Sequence, residues 1–117
     1  MSSQVHGILD YLTVVVLLIS PTLFEMGSKA SLFTYTLAII HLVLTLFTDF
    51  EAGAIKIVSF KIHGMIEIIV SIVLIGVAIW FRFLGDNVSF YYYLAFSALL
   101  FIVWLASDYK MISKKQT

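Results

Sequence analysis

Apolar residues fall in four long stretches, roughly 7 to 24, 32 to 48, 64 to 84 and 88 to 107, separated by shorter polar segments. Each stretch is close to the about 17 to 25 residues that a helix needs to cross about 30 Å of hydrocarbon. Within them there is almost no consistent 3.6-residue polar stripe, as the run Val14, Val15, Val16, Leu17, Leu18 illustrates. A soluble amphipathic bundle would carry such a polar stripe. The pattern instead predicts helices that meet lipid on one side and apolar neighbours on the other. Many of these residues are β-branched, but lipid offers the backbone no other hydrogen-bond partner and enforces the helix.

The breaks between stretches carry turn chemistry. Glu25 to Lys29 separates the first two, and Arg82 to Asn87, with Gly85-Asp86-Asn87 inside it, separates the last two. The middle connection, 51–62, mixes Lys56, Ser59 and Lys61 with Ile55, Ile57, Val58, Phe60 and Ile62. It is expected to lie in the headgroup layer, apolar side chains dipping into the membrane and lysines in water. Lys56, Lys61, Lys110, Lys114 and Lys115 lie on the side shared by the termini and this connection, and only Lys29 and Arg82 lie on the other. Both termini are therefore expected in the cytoplasm. Residues 1–5 contain no Lys or Arg, so the first stretch is expected to be a retained span and not a signal peptide. Phe24, Phe33, Tyr35, Trp80, Phe81, Phe83 and Phe90 through Tyr93 gather at the opposite boundary, where rings anchor at headgroup level.

Composition sharpens this picture. The chain is 62% hydrophobic and 12% charged, with a mean hydropathy of +1.07, against about 25% charged residues in a soluble domain. Disorder is excluded by the same figures. Seven Lys and Arg balance seven Asp and Glu, which leaves no basic face for nucleic acid. Cysteine is absent, which rules out a disulfide scaffold, an iron–sulfur cluster and a thiolate nucleophile.

The second half of the chain repeats the first. His6-Gly7-Ile8-Leu9-Asp10 matches His63-Gly64-Met65-Ile66-Glu67, Gly27 and Ser31 match Gly85 and Ser89, and Thr48-Asp49-Phe50 matches Ser107-Asp108-Tyr109. The expected fold is an all-α integral membrane four-helix bundle made of two tandem helical hairpins. Repeat 1 covers 6–50, the interfacial connection 51–62, repeat 2 63–109 and a basic tail 110–117. Since each half crosses twice, both enter from the same side, related by a pseudo-twofold axis along the membrane normal.

The pattern His-Gly-x-x-Asp/Glu opening a hydrophobic helix, followed by Ile19-Ser20-Pro21-Thr22-Leu23-Phe24, resembles the SPW-repeat family of small bacterial integral membrane proteins. The name-giving Ser-Pro-Trp motif is incomplete in both copies, reading Ser20-Pro21-Thr22 and Ala78-Ile79-Trp80. The resemblance implies a multi-pass protein of the bacterial inner membrane and brings no established activity.

Candidate chemistry gathers at the cytoplasmic side. His6 and Asp10 are four residues apart on one helical face, and His63 and Glu67 repeat that spacing. Asp49 and Asp108 are expected to close the second and fourth spans beside them. Two imidazoles and four carboxylates could hold a divalent metal such as Zn, Mn or Fe, or a proton. The competing reading leaves these groups in the wet interface, paired with one another or with Lys56 and Lys61. His41 is expected about 12 Å deeper, near the bilayer centre. Its counterpart in the second half is Leu100. It reads as a structural histidine bonded to Thr45 or Asp10, or as a cofactor ligand. Haem held by two histidines is disfavoured, because that depth would keep His41 away from His6 and His63.

The expected function is that of a non-catalytic structural or accessory subunit embedded in the lipid bilayer, as a homo-oligomer or within a larger membrane complex. The alternative is cation or proton binding and transport through the His/carboxylate cluster. A membrane enzyme acting on a lipid or quinone comes third.

Overall fold

The structure is a computed structural model and describes residues 1–107. Four helices follow one another: α1 (Ser3–Leu23), α2 (Ser28–Leu46), α3 (Phe60–Phe83) and α4 (Asn87–Ala106). They hold 21, 19, 24 and 20 residues, or about 29 to 36 Å at about 1.5 Å per residue. All four are long and apolar enough to cross a membrane. The helices pack most closely within the pairs α1–α2 and α3–α4, so the bundle is built of two hairpins.

Local chemistry sets the helix ends. The Ser2 and Ser59 hydroxyls accept from the amides of Val5 and Ile62, and Asp86 accepts from the Ser89 amide, giving three of the four helices a side-chain N-cap. Gly85, at φ 81°, turns α3 into α4 through the left-handed region that side chains avoid. Pro21 lies inside α1, where it removes one backbone donor. The Ser20 hydroxyl donates to the Val16 carbonyl and accepts from Tyr92 on α4, tying the two hairpins together beside the proline.

The connection between hairpins is more ordered than a surface loop. Thr48–Asp49 (β1) and Val58–Ser59 (β2) form a short parallel bridge. The segment between them is tied to α1, where the Tyr11 hydroxyl donates to the Ala52 carbonyl and the Ser3 hydroxyl donates to Glu51. Phe60, expected to dip into lipid, instead opens α3, is fully buried and stacks on Phe50 at 5.3 Å. A Cβ at Gly7 would collide with the Ala52 side chain and the Phe50 ring, so the connection approaches α1 as closely as glycine permits.

Unlike that of a soluble protein, the surface is largely apolar, and polar groups are buried beside the apolar core. Ile39, Ile40, Ile69, Ile72 and Leu99 are exposed, whereas His6, Asp10, Thr34, His63, Glu67 and Ser71 are buried. The apolar core runs through Leu17, Ala38, Leu74, Ala78, Phe81, Tyr93 and Leu100. Phe81 and Tyr93, expected at the headgroup boundary, belong to this core and are fully buried. Phe33 packs against them at 5.9 and 5.3 Å between ring centroids.

Candidate functional site

The two His-Gly segments meet at the bundle end that holds the start of α1, the end of α4 and the connection. His6 and His63 stand 5.4 Å apart between ring centroids, nearly perpendicular. Both rings are buried, and so are the carboxylates one turn further along each helix, Asp10 and Glu67. His6 Nε2 lies 3.4 Å from Asp10 Oδ2 and 3.1 Å from Glu67 Oε2. His63 Nε2 lies 3.2 Å from the same Asp10 oxygen and 3.9 Å from Glu67 Oε2. Each imidazole thus faces the carboxylate of its own helix and that of the other hairpin. His6, Asp10 and His63 form the tightest trio, each offering one ligand atom within 4.8 Å of the other two. Glu67 stands beside both imidazoles.

The other ring nitrogens are held by hydroxyls, and the exchange is reciprocal. Thr48, beyond the end of α2, contacts His63 Nδ1 at 2.8 Å, and Ser107, beyond the end of α4, contacts His6 Nδ1 at 2.6 Å. Each hydroxyl has one proton. Thr48 donates it to the Leu44 carbonyl at 2.6 Å and Ser107 to the Val103 carbonyl at 2.7 Å. Both hydroxyl oxygens therefore accept from Nδ1–H. Each ring is thereby oriented with Nε2 aimed at the carboxylates. Metal-ligating histidines are oriented in this way, through a partner on the second ring nitrogen.

The two Nε2 atoms and the oxygens of Asp10 and Glu67 share a buried space. His63 Nε2 and Asp10 Oδ2 make no hydrogen bond there. Imidazole nitrogens and carboxylate oxygens 3.1 to 3.9 Å apart attract one another only with a proton or a cation between them. Aromatic rings cover the outer side: Phe60 meets His6 edge-on at 5.1 Å, and Phe50 lies 5.9 Å from His63.

His41 joins this cluster, contrary to the depth expected from the sequence. Its Nε2 lies 3.5 Å from Asp10 Oδ1, the oxygen that the other imidazoles do not face. The expected separation assumed that α2 continues to Asp49. It ends at Leu46, and α1 begins at Ser3. His41 is then five residues from its helix end and His6 three from its own, a difference of only about 3 Å. Depth is therefore no argument for keeping His41 apart from the other two histidines.

The remaining expected ligands stand differently. Asp49 is half-buried in β1 opposite Ser59, not at a helix C-terminus and outside the close trio. Asp108 lies outside the described residues. Lys56 and Lys61 are exposed, and His6, Asp10, His41, His63 and Glu67 contact one another. Sequence reasoning missed Thr48 and Ser107. The repeat had matched them to each other, one residue before the two aspartates. Compared with known protein families, curated proteins and solved structures, the chain matches none of them. The resemblance to SPW-repeat proteins thus rests on the residues quoted for it.

Proposed function

We propose that this chain is an integral membrane protein that binds a divalent first-row metal ion, with His6 Nε2, His63 Nε2 and Asp10 as ligands and Glu67 beside them as a fourth. The carrying observation is the convergence of two buried imidazole Nε2 atoms on the buried carboxylates of Asp10 and Glu67, with a hydroxyl on the other nitrogen of each ring. Bonds of about 2.0 to 2.2 Å set neighbouring ligand atoms of a tetrahedral zinc site about 3.3 to 3.5 Å apart. The separations from Asp10 Oδ2 to the two imidazoles, 3.4 and 3.2 Å, lie close to that spacing. Nitrogen and carboxylate oxygen ligands suit Zn, Mn and Fe(II). The membrane reading is supported by four apolar helices with an exposed apolar surface. The excess of lysine beside the connection and the termini favours a cytoplasmic position for the cluster. In this arrangement the hairpins are related by a pseudo-twofold axis along the membrane normal.

Titration of the detergent-purified protein with zinc and with cobalt(II) tests the proposal. The expected result is saturable binding at one site per chain, lost in the His6→Ala/His63→Ala double variant. Equal affinity in that folded variant would sink it. An accessory role within a membrane complex is the second reading. It is favoured by an apolar groove of about 600 Å³ between α1 and α4, lined by Val16, Phe24, Tyr92 and Phe96 among others. Crosslinking in native membranes tests that reading: a defined partner is expected, and monomer alone counts against it.

A further inference from the structure

The ligand trio is enclosed, so a metal ion needs a way in. His6 and His63 have side-chain exposures of 0% and 1%, and Asp10 and Glu67 of 4% and 3%. His41 differs at 13%. The outer approach is covered by Phe50 and Phe60, which stack on one another and are 2% and 0% exposed. The connection is held down over α1 by Tyr11 and Ser3. In the opposite direction the bundle closes on Leu17 and Leu74, at 0% and 1% exposure.

A cavity lies beside the trio. Its volume is about 50 Å³, and it is lined by His41, Leu44, His63, Ile66, Glu67 and Leu100 among others. It reaches from α2 to α3, helices that touch far less than the partners within either hairpin. Its walls are mostly apolar, and an ion crossing such a space needs a ligand inside it. His41 is that ligand: its imidazole lines the cavity, and its Nε2 lies 3.5 Å from Asp10 Oδ1. Asp10 is divided between two environments. Oδ2 faces the enclosed imidazoles and Oδ1 faces His41. The residue matched to His41 in the repeat, Leu100, lines the same cavity and offers no ligand atom.

We propose that a divalent metal ion enters and leaves the site by way of His41, which binds it transiently in the cavity between α2 and α3 before Asp10 draws it in. This inference rests on the metal-binding reading above. The step is a ligand exchange in which the ion keeps its charge: the bond to His41 Nε2 breaks as bonds to Asp10 and the two enclosed imidazoles form. Release runs in reverse. His41 thus governs how fast the ion exchanges, while the trio governs how tightly it is held.

Exchange kinetics separate these roles. The folded protein is loaded with cobalt(II) and mixed with excess chelator, and the loss of the cobalt d–d absorption is followed. Wild type is compared with His41→Leu, which installs the residue of the other repeat, and with His41→Gln, which keeps a polar side chain. Equilibrium affinity is expected to change little in both. Uptake and release should slow about tenfold or more in His41→Leu, the effect of a barrier raised by about 1.4 kcal/mol. Unchanged exchange rates in both variants would overturn the inference and leave the site reading intact. So would faster release with affinity lost as fully as in His63→Ala, since His41 would then be a permanent ligand. Wild type that binds neither cobalt nor zinc would overturn the site reading itself, and this inference with it.

Discussion

At one end of the bundle the two hairpins meet through three imidazoles and two carboxylates; at the other they meet through Phe33, Phe81, Tyr92 and Tyr93. Both ends are buried and both contain polar atoms, yet their hydrogen-bond accounts differ. At the aromatic end Thr34 donates to the Ala30 carbonyl and accepts from the Tyr93 hydroxyl, so each proton has an acceptor. Between the ends, Ser71 and Ser97 donate to each other's carbonyls across α3 and α4. At the histidine end Thr48 and Ser107 hold the outer nitrogens of His63 and His6, and the Nε2 atoms of all three imidazoles face carboxylates. The aromatic end is closed by its own hydrogen bonds, whereas the histidine end is the one at which we propose a metal ion.

The comparison can be broken by substitutions read with and without zinc. The largest loss of stability is expected at the aromatic end. Phe81→Ala should cost about 3 to 5 kcal/mol, measured by unfolding in detergent, with the increment from zinc unchanged. Next comes that increment: zinc at a hundred times its dissociation constant should stabilise wild type by about 2.7 kcal/mol and leave His63→Ala where it was. An equal zinc increment in His63→Ala would remove the distinction between the ends. Thr48→Val keeps the shape and deletes the acceptor for His63 Nδ1. It should weaken zinc binding by about 10- to 100-fold, the usual effect of losing an outer-shell partner. Tyr93→Phe should cost about 1 kcal/mol and leave zinc affinity as it was.

The smallest effect concerns Asp86, the clamp between the two hairpin turns. Its carboxylate accepts from the Gly27 amide at 3.1 Å and from the amide and hydroxyl of Ser89 at 3.1 and 2.7 Å. Burial pushes its pKa up, but these hydrogen bonds outweigh it and hold the carboxyl below its ordinary value. The folded form therefore gains stability above the unfolded carboxyl pKa of about 3.9, and loses it as pH falls through the lowered folded value. Asp86→Ala should cost at most about 1 kcal/mol at neutral pH, reduced by partial exposure. It should also flatten the acid limb of the stability curve.

Much of the fold was legible because solvent dictates it. Four apolar stretches became four helices within a few residues, and the offset match between His6-Gly7 and His63-Gly64 anticipated that these segments face each other. Helix ends were less legible. The second apolar stretch runs to Thr48, but Phe47 accepts backbone hydrogen bonds from Ile57 and Val58, and the chain leaves the helix at Leu46 to make them. That early exit moved His41 level with the cluster and placed Asp49 in a strand. The aspartates at 49 and 108 drew the chemical reading because they carry charge. The hydroxyls at Thr48 and Ser107 carry none, and their role depends on a contact to the opposite hairpin that spacing cannot reveal. Phe60 was assigned to lipid because its neighbours Lys61 and Ser59 are polar, whereas the Ser59 cap starts α3 there and turns the ring inward over His6.

The reciprocal hydroxyl contacts bear on how this chain can be divided. Thr48, from the first half, steadies the imidazole of the second, and Ser107, from the second, steadies that of the first. Produced as separate polypeptides, each half would display a ring whose Nδ1–H has lost its native acceptor, and an alcohol with no ring to steady. Neither half is a spare copy of the other, and drift in one is felt at the histidine of both.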